Sequence, residues 1–297
     1  RGIGVGIGLL IAYIGMREAG WISASPDTFT TVGSLHSPAA IVSTVGLLII
    51  IALMAWKIRG SILIGIIVTT ALAIVLGVGK LPQSWVGLPD FSTIGKTDLL
   101  GALRFSLIAP IFALMLTDFF DTMGTVIAVG GQAGYLDENG RLPRLNRVLL
   151  VDSLAAIWGS FCCASSVTTY IESAAGVSSG GRTGLTSVVT GLLFLLAIFF
   201  APAIGIVPAA ATAPALIIVG FLMISLVREI DFENIEEALP SFITIITIPL
   251  TGSIARGIGY GFISYTLVKV FRGKFKEINP ALAVVSILFI VSFIFDK

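Results

Sequence analysis

Apolar residues run in long blocks along this chain, at 2–16, 38–56, 61–79, 105–129, 148–164, 185–207, 212–227, 238–250 and 253–271, with a further apolar tail at 280–295. A helix crosses a ~30 Å hydrocarbon core in roughly 17 to 25 such residues, so the pattern predicts about eight to ten spans joined by short polar loops. Lipid offers backbone N–H and C=O groups no partner, which makes the helix the natural form of each span. The predicted fold class is therefore an all-α polytopic membrane protein. The tail beyond Pro280 is long enough to cross once more or to lie in the interface, and the sequence leaves both open.

Composition agrees with the pattern. Hydrophobic residues make up 56% and charged residues 12% of 297 residues, and the mean hydropathy is +1.03. A soluble domain of this size carries more charge. The net charge of +1 gives no basic stripe for nucleic acid. Cys162 and Cys163 are adjacent within an apolar run, which fits packing rather than a disulfide or a metal site. The chain opens at Arg1 directly into GIGVGIGLLIAYIG, so it reads as a piece of a longer protein. Lys57, Arg59, Arg141, Arg144, Arg147, Arg182, Arg228, Lys269, Arg272, Lys274 and Lys276 fall on one side if every span crosses, and that side is the cytoplasm.

One stretch breaks the pattern. SSVTTYIESAAGVSSGGRTG, residues 165–184, holds a glutamate, several hydroxyls and glycines between two apolar blocks. Thr169 and Glu172 form a T-x-x-E capping box, which predicts a helix start inside the membrane. Such a start leaves free N–H groups aimed at a cavity, the device with which transporters build sites from half-helices. A second feature is an echo: RGSILIGI at 59–66 and TGSIARGI at 251–258 share G-S-I-x-x-G-I. An odd number of predicted spans separates the copies, as an inverted repeat requires.

Ionisable residues inside spans are costly and mark function by default. Asp118 and Asp121 lie three apart on one helix face, where two desolvated carboxylates tend to share a proton. Thr122, Gly124 and Thr125 follow Asp121 and make a small polar surface. Asp152 fits a brace for a neighbouring helix, and Glu172 serves either as a cap or as a site residue. His36 reads as a solvated loop residue, and the acidic stretch REIDFENIEEAL as a solvated connection. The glycines near 180 lack the lysine and the strand of a phosphate loop.

The segments DFFDTMGT, GQAGYLDENGRLPRLNR, TTYIESAAGVSSGGRTGLTSVV and APALIIVGFLM follow in an order that resembles the xanthine/uracil permease superfamily, in its AzgA-like hypoxanthine, adenine and guanine permease branch. The resemblance runs through essentially the whole chain. It implies a purine nucleobase:proton symporter, not an enzyme, of fourteen spans in two inverted seven-span repeats, with core and gate domains. This chain then begins at the fifth span. Residues 1–79 correspond to gate helices of the first repeat, 80–104 to an extracellular connection, and 105–207 to the core of the second repeat. Residues 208–272 correspond to the second gate and 273–297 to a tail. By position, Asp121 and Glu172 match the acids that face the base, with Thr169, Tyr170 and Ser173 beside it. Asp118, Asp152 and Thr125 match support or proton-coupling positions. Ser173 stands where uracil and xanthine carriers have Asn, and Thr125 where they place an ionisable group, while Arg256 replaces an expected small or acidic residue. The implied partners are a purine base, a proton and the bilayer of a bacterial or archaeal plasma membrane, with a homodimer left open. No cofactor, metal or nucleic acid is implied. The alternatives are an anion carrier of the same general fold and a uracil/xanthine-type permease. An intramembrane aspartyl protease lacks its motifs, and a channel or receptor would differ by lacking concentrative uptake. The piece alone is expected not to transport.

Overall fold

The computed structural model describes residues 2–295 apart from 59, 80, 82–83, 138–140, 171 and 279. Arg59 of the basic set, residues 138–140 of the GQAGYLDENGRLPRLNR motif and Ile171 of the broken stretch lie outside the described residues. The elements are α1 (Gly2–Glu18), a hairpin of β1 (Ile22–Ser25) and β2 (Phe29–Val32), α2 (Pro38–Ala55), α3 (Ser61–Val75), α4 (Leu99–Ala102), α5 (Phe105–Ala133) and α6 (Leu145–Phe161). They continue with α7 (Ser173–Ser178), α8 (Gly184–Phe199), α9 (Ala201–Ile204), α10 (Ala209–Ile224), α11 (Ile235–Thr251), α12 (Ile254–Phe271) and α13 (Pro280–Phe295).

Each apolar block has become helical, with ends displaced by a few residues, except that the block at 185–207 breaks at Phe200 into α8 and the four-residue α9. Two helical stretches among the described residues, Pro38–Ala55 and Ala209–Arg228, combine 18 or more residues with strong apolarity. The helix α5 has 29 residues and is about 43 Å long at 1.5 Å per residue, more than a hydrocarbon core requires. The antiparallel hairpin pairs Ile22 with Val32 and Ser25 with Phe29, in a stretch that carries no apolar block. Cys162 and Cys163 lie just past the end of α6 rather than inside a span, and Cys163 is exposed with φ of 53°.

The chain divides into two compact units. One, residues 11–91 and 175–221, is organised by the pairing of α2 with α3. Ser37 caps α2 by accepting from the Ala40 N–H at 3.2 Å, and Pro38 sits in the first turn, where a missing N–H costs nothing. Gly46 and Gly65 leave no room for a Cβ against Thr69 and Ile50 respectively, so the two backbones approach closely. The helix α10 lies on this pair: Pro214 abuts Gly46, and the fully buried Ser43 hydroxyl donates to the Ala210 carbonyl at 2.7 Å.

The other unit, residues 1–10, 92–174 and 222–297, is organised by the pairing of α11 with α12. Here Gly257 meets Ile248 and Gly261 meets Thr244, and the start of α1 lies on the pair through Gly6 against Ile248. The tail helix α13 packs on α12, with Phe289 and Phe293 over Gly259. The two helical hairpins thus share one contact plan. Each turns at a left-handed glycine, Gly60 (φ 75°) or Gly252 (φ 62°), which begins the echoed motif. Each then seats the second motif glycine on an isoleucine, with a threonine–glycine contact one turn further on.

The polar end of the second hairpin departs from the sequence reading. Glu236, read as part of a solvated connection, is only 6% exposed. Its carboxylate pairs with Lys269 at 2.5 Å, Arg272 at 2.6 Å and Lys274 at 2.6 Å, and Lys269 also pairs with Glu277. The hydrogen bond from Lys269 and then that from Lys274 hold the Glu236 carboxyl down at about 2. This cluster ties the first turn of α11 to the last turn of α12 and the short 3₁₀ turn before α13.

Candidate crossover site

The broken stretch is neither a full span nor the helix start that its motif suggested. Residues 164–170 carry no regular secondary structure, α7 follows with six residues, and a turn at 179–183 leads into α8. A six-residue helix is about 9 Å long, far short of a crossing. The capping box is not formed. Thr169 donates its hydroxyl to Asp152 Oδ1 at 3.2 Å instead of capping a helix, and the helix begins at Ser173, so Glu172 precedes it rather than occupying its third position.

What holds this segment is a set of side chains from α5 and α6. Thr122 on α5 is fully buried and donates to Asp152 Oδ2 on α6 at 3.0 Å. Its oxygen also lies 2.8 Å from the Thr168 hydroxyl. A hydroxyl carries one proton and an ionised carboxylate only accepts, so Thr122 gives its proton to Asp152 and Thr168 donates to Thr122. One turn earlier on α5, Asp118 accepts from Ser166 at 2.8 Å. The carboxylates of Asp118 and Asp152 therefore grip the crossover at two points, through Ser166 on one side and Thr168 and Thr169 on the other.

The remaining candidates are placed differently. Asp121 is half-buried on the same helix, and no hydrogen bond joins it to another described residue. The charged groups that act on it are Asp118, Glu172 and Asp152, so the fold brings all four intramembrane acids into one neighbourhood. Glu172, Tyr170 and Ser173 are exposed, and the Ser173 backbone N–H donates to the Tyr170 carbonyl at 3.2 Å. Thr125, four residues after Asp121, is buried. Among the described residues no group of three or more His, Cys, Asp or Glu forms a metal site. A separate cavity of about 540 Å³, lined by Ile3, Thr244, Tyr265, Glu277 and Leu282 among others, contains none of the candidate residues.

Ser166 and Thr168 were not singled out in the sequence. Their signal was the run of four hydroxyls around Val167 in SSVTT, within an otherwise apolar region. Only the approach of α5 and α6 reveals which hydroxyl meets which acid.

The xanthine/uracil permease (Xan_ur_permease) family model, described as the Permease family, matches residues 1–260. The chain belongs to this permease family. A permease of Methanocaldococcus jannaschii is 44% identical over 99% of this chain and 68% of its own length. The adenine permease AdeP of Escherichia coli is 43% identical over 99% of this chain and 66% of its own. The guanine/hypoxanthine permease PbuG of Bacillus subtilis is 38% identical over 99% of this chain and 68% of its own. The chain thus spans about two thirds of the length of these relatives. It is a predominantly helical membrane permease.

Proposed function

We propose that the protein of which this chain is part imports purine nucleobases, hypoxanthine, guanine or adenine, across a bacterial or archaeal plasma membrane by proton symport. The observation that carries the reading is the division among the four acids. Asp118 and Asp152 are committed to hydroxyls of the crossover, whereas Asp121 and Glu172 accept no hydrogen bond from any other described residue. A purine offers ring N–H donors, and two uncommitted carboxylates facing it accept them. A buried donor left without a partner costs about 1–3 kcal/mol, which disfavours bases that fill the cavity poorly. Thr169, Tyr170 and Ser173 flank the base, while Asp118, Asp152 and Thr125 support the site or take part in proton coupling. Relatives bearing the names adenine permease and guanine/hypoxanthine permease support the substrate class. Protonation of Glu172 or Asp121 removes a negative charge from the site and so links proton entry to base entry. The four acids disfavour an anionic cargo, which they would repel.

The architecture proposed with it is a multi-pass protein of two inverted seven-span repeats with core and gate domains. Its support is the shared contact plan of the two hairpins and the reciprocal use of one further helix in each unit, α10 on α2 and α3, α1 on α11 and α12. The test is radiolabelled hypoxanthine uptake by the complete protein in a purine-uptake-deficient bacterium at pH 5.5 and pH 8, with unlabelled adenine, guanine, xanthine and uracil as competitors. Uptake stimulated by acid and blocked by purines but not by uracil supports the proposal. Competition by uracil alone, or no uptake, overturns it.

A further inference from the structure

Thr122 is the point at which three elements meet through one oxygen atom. It lies fully buried on α5, donates to Asp152 of α6, and accepts from Thr168 of the crossover. A methyl and a hydroxyl on one β-carbon satisfy both demands: the methyl fills packed space and the hydroxyl links donor to acceptor. Asp152 in turn uses its second oxygen to accept from Thr169, the residue after Thr168. Two successive residues of the crossover are therefore fixed by one carboxylate, directly at Thr169 and through Thr122 at Thr168. A one-residue slip of the crossover would carry Thr168 away from Thr122 and Thr169 away from Asp152 and break both bonds together.

We propose that Thr122 is a positioning residue: its hydroxyl fixes the register of residues 164–170 and so sets where Tyr170 and Glu172 stand toward the transported base. The role of the base rests on the function proposed above, while the fixing of the segment does not. Thr122 does not touch the substrate. It acts through Asp152 and Thr168, so its loss weakens binding of the base more than it slows turnover.

The test uses the complete transporter with Thr122→Val, which keeps the shape and removes the hydroxyl, and Thr122→Ser, which restores it. The expected result is a KM for hypoxanthine raised about tenfold in Thr122→Val, with the maximal rate per transporter in the membrane little changed, and recovery in Thr122→Ser. An unchanged KM in Thr122→Val overturns the proposal, as does a fall in maximal rate alone. If Thr122→Val does not reach the membrane, Thr168→Val removes the same link from the crossover side and is read by the same criteria. A second readout needs no substrate. With Cys162 and Cys163 replaced by alanine, a nitroxide on Ser165→Cys reports the segment directly. A more mobile spectrum with Thr122→Val, but not with Thr122→Ser, supports the positioning role, and identical spectra overturn it. Absent purine uptake combined with altered mobility would overturn the substrate reading and leave the positioning role standing.

Discussion

Two carboxylates three residues apart on α5 have different work, and the difference is set by what reaches them. Asp118 accepts from Ser166, a bond that an asparagine oxygen still accepts, so Asp118→Asn is expected to keep uptake within about threefold of the parent. Asp121 receives no hydrogen bond from the described residues, and an N–H bonded to a charged acceptor contributes about 1.5–3 kcal/mol, so Asp121→Asn is expected to lower kcat/KM for hypoxanthine by about ten- to a hundredfold. Uptake kinetics of the two variants, normalised to protein in the membrane, check the pair. Glu236 gives a prediction of a different kind. Its carboxyl is held at about 2, below the ordinary 4.5, so it stabilises the folded state fully above pH 4.5 and loses that contribution as pH falls toward 2. Thermal unfolding in detergent should find Glu236→Gln less stable than the parent at pH 7, with the gap closing at pH 2.5. At this scale the sequence marked all four intramembrane acids because charge is rare in apolar blocks. It could not mark Glu236, whose carboxylate meets Lys269 in the last turn of α12 and Arg272 and Lys274 just beyond it.

The helices themselves were legible, because a block of apolar residues has few other forms in lipid. Less visible were the features set by partners. Thr169 and Glu172 have the spacing of a capping box, yet the nearby Asp152 takes the Thr169 hydroxyl, and a tertiary acceptor overrides the local motif. The hairpin at 22–32 is a short polar stretch whose pairing no periodicity announces. The echoed motif did carry structural meaning, since its glycines turn and seat both helical hairpins. Its two copies differ in tolerance. A Cβ at Gly65 meets side-chain atoms of Ile50, which can shift, whereas one at Gly257 also comes within 2.8 Å of the Ile248 backbone nitrogen and 2.9 Å of its Cα. Overpacking typically costs about 1–3 kcal/mol, so Gly257→Ala should lie at the upper end of that range and Gly65→Ala at the lower. Unfolding temperatures of the two variants in the complete protein test the order, and Ile50→Ala, which removes the clashing γ-carbon, should relieve Gly65→Ala while Ile248→Ala leaves most of the Gly257→Ala defect in place.

For the molecule as a whole, membership of the permease family sets the task of moving a solute, and the acids at the crossover bear on how the movement is driven. Asp118, Glu172 and Asp152 all lie close enough to Asp121 to act on it through their charge. On the symport proposed above, a proton that arrives with the cargo removes one of those charges, which makes the loaded site easier to carry across than the empty charged one. Glu172 is the acid best placed for this exchange, being exposed, uncommitted and at the head of α7, while Asp121 is half-buried on a long helix. Replacing Glu172 by glutamine mimics the protonated state permanently. Uptake by Glu172→Gln is therefore expected to lose its stimulation by acid and its sensitivity to a protonophore, and to run as equilibration rather than accumulation. The comparison is the ratio of initial uptake rates at pH 5.5 and pH 8, with and without the protonophore, in the complete protein and in the variant. A parent that accumulates at acid pH beside a variant that only equilibrates assigns the exchanged proton to Glu172. A variant that retains the full acid stimulation moves the assignment to Asp121, the other acid that the crossover leaves uncommitted.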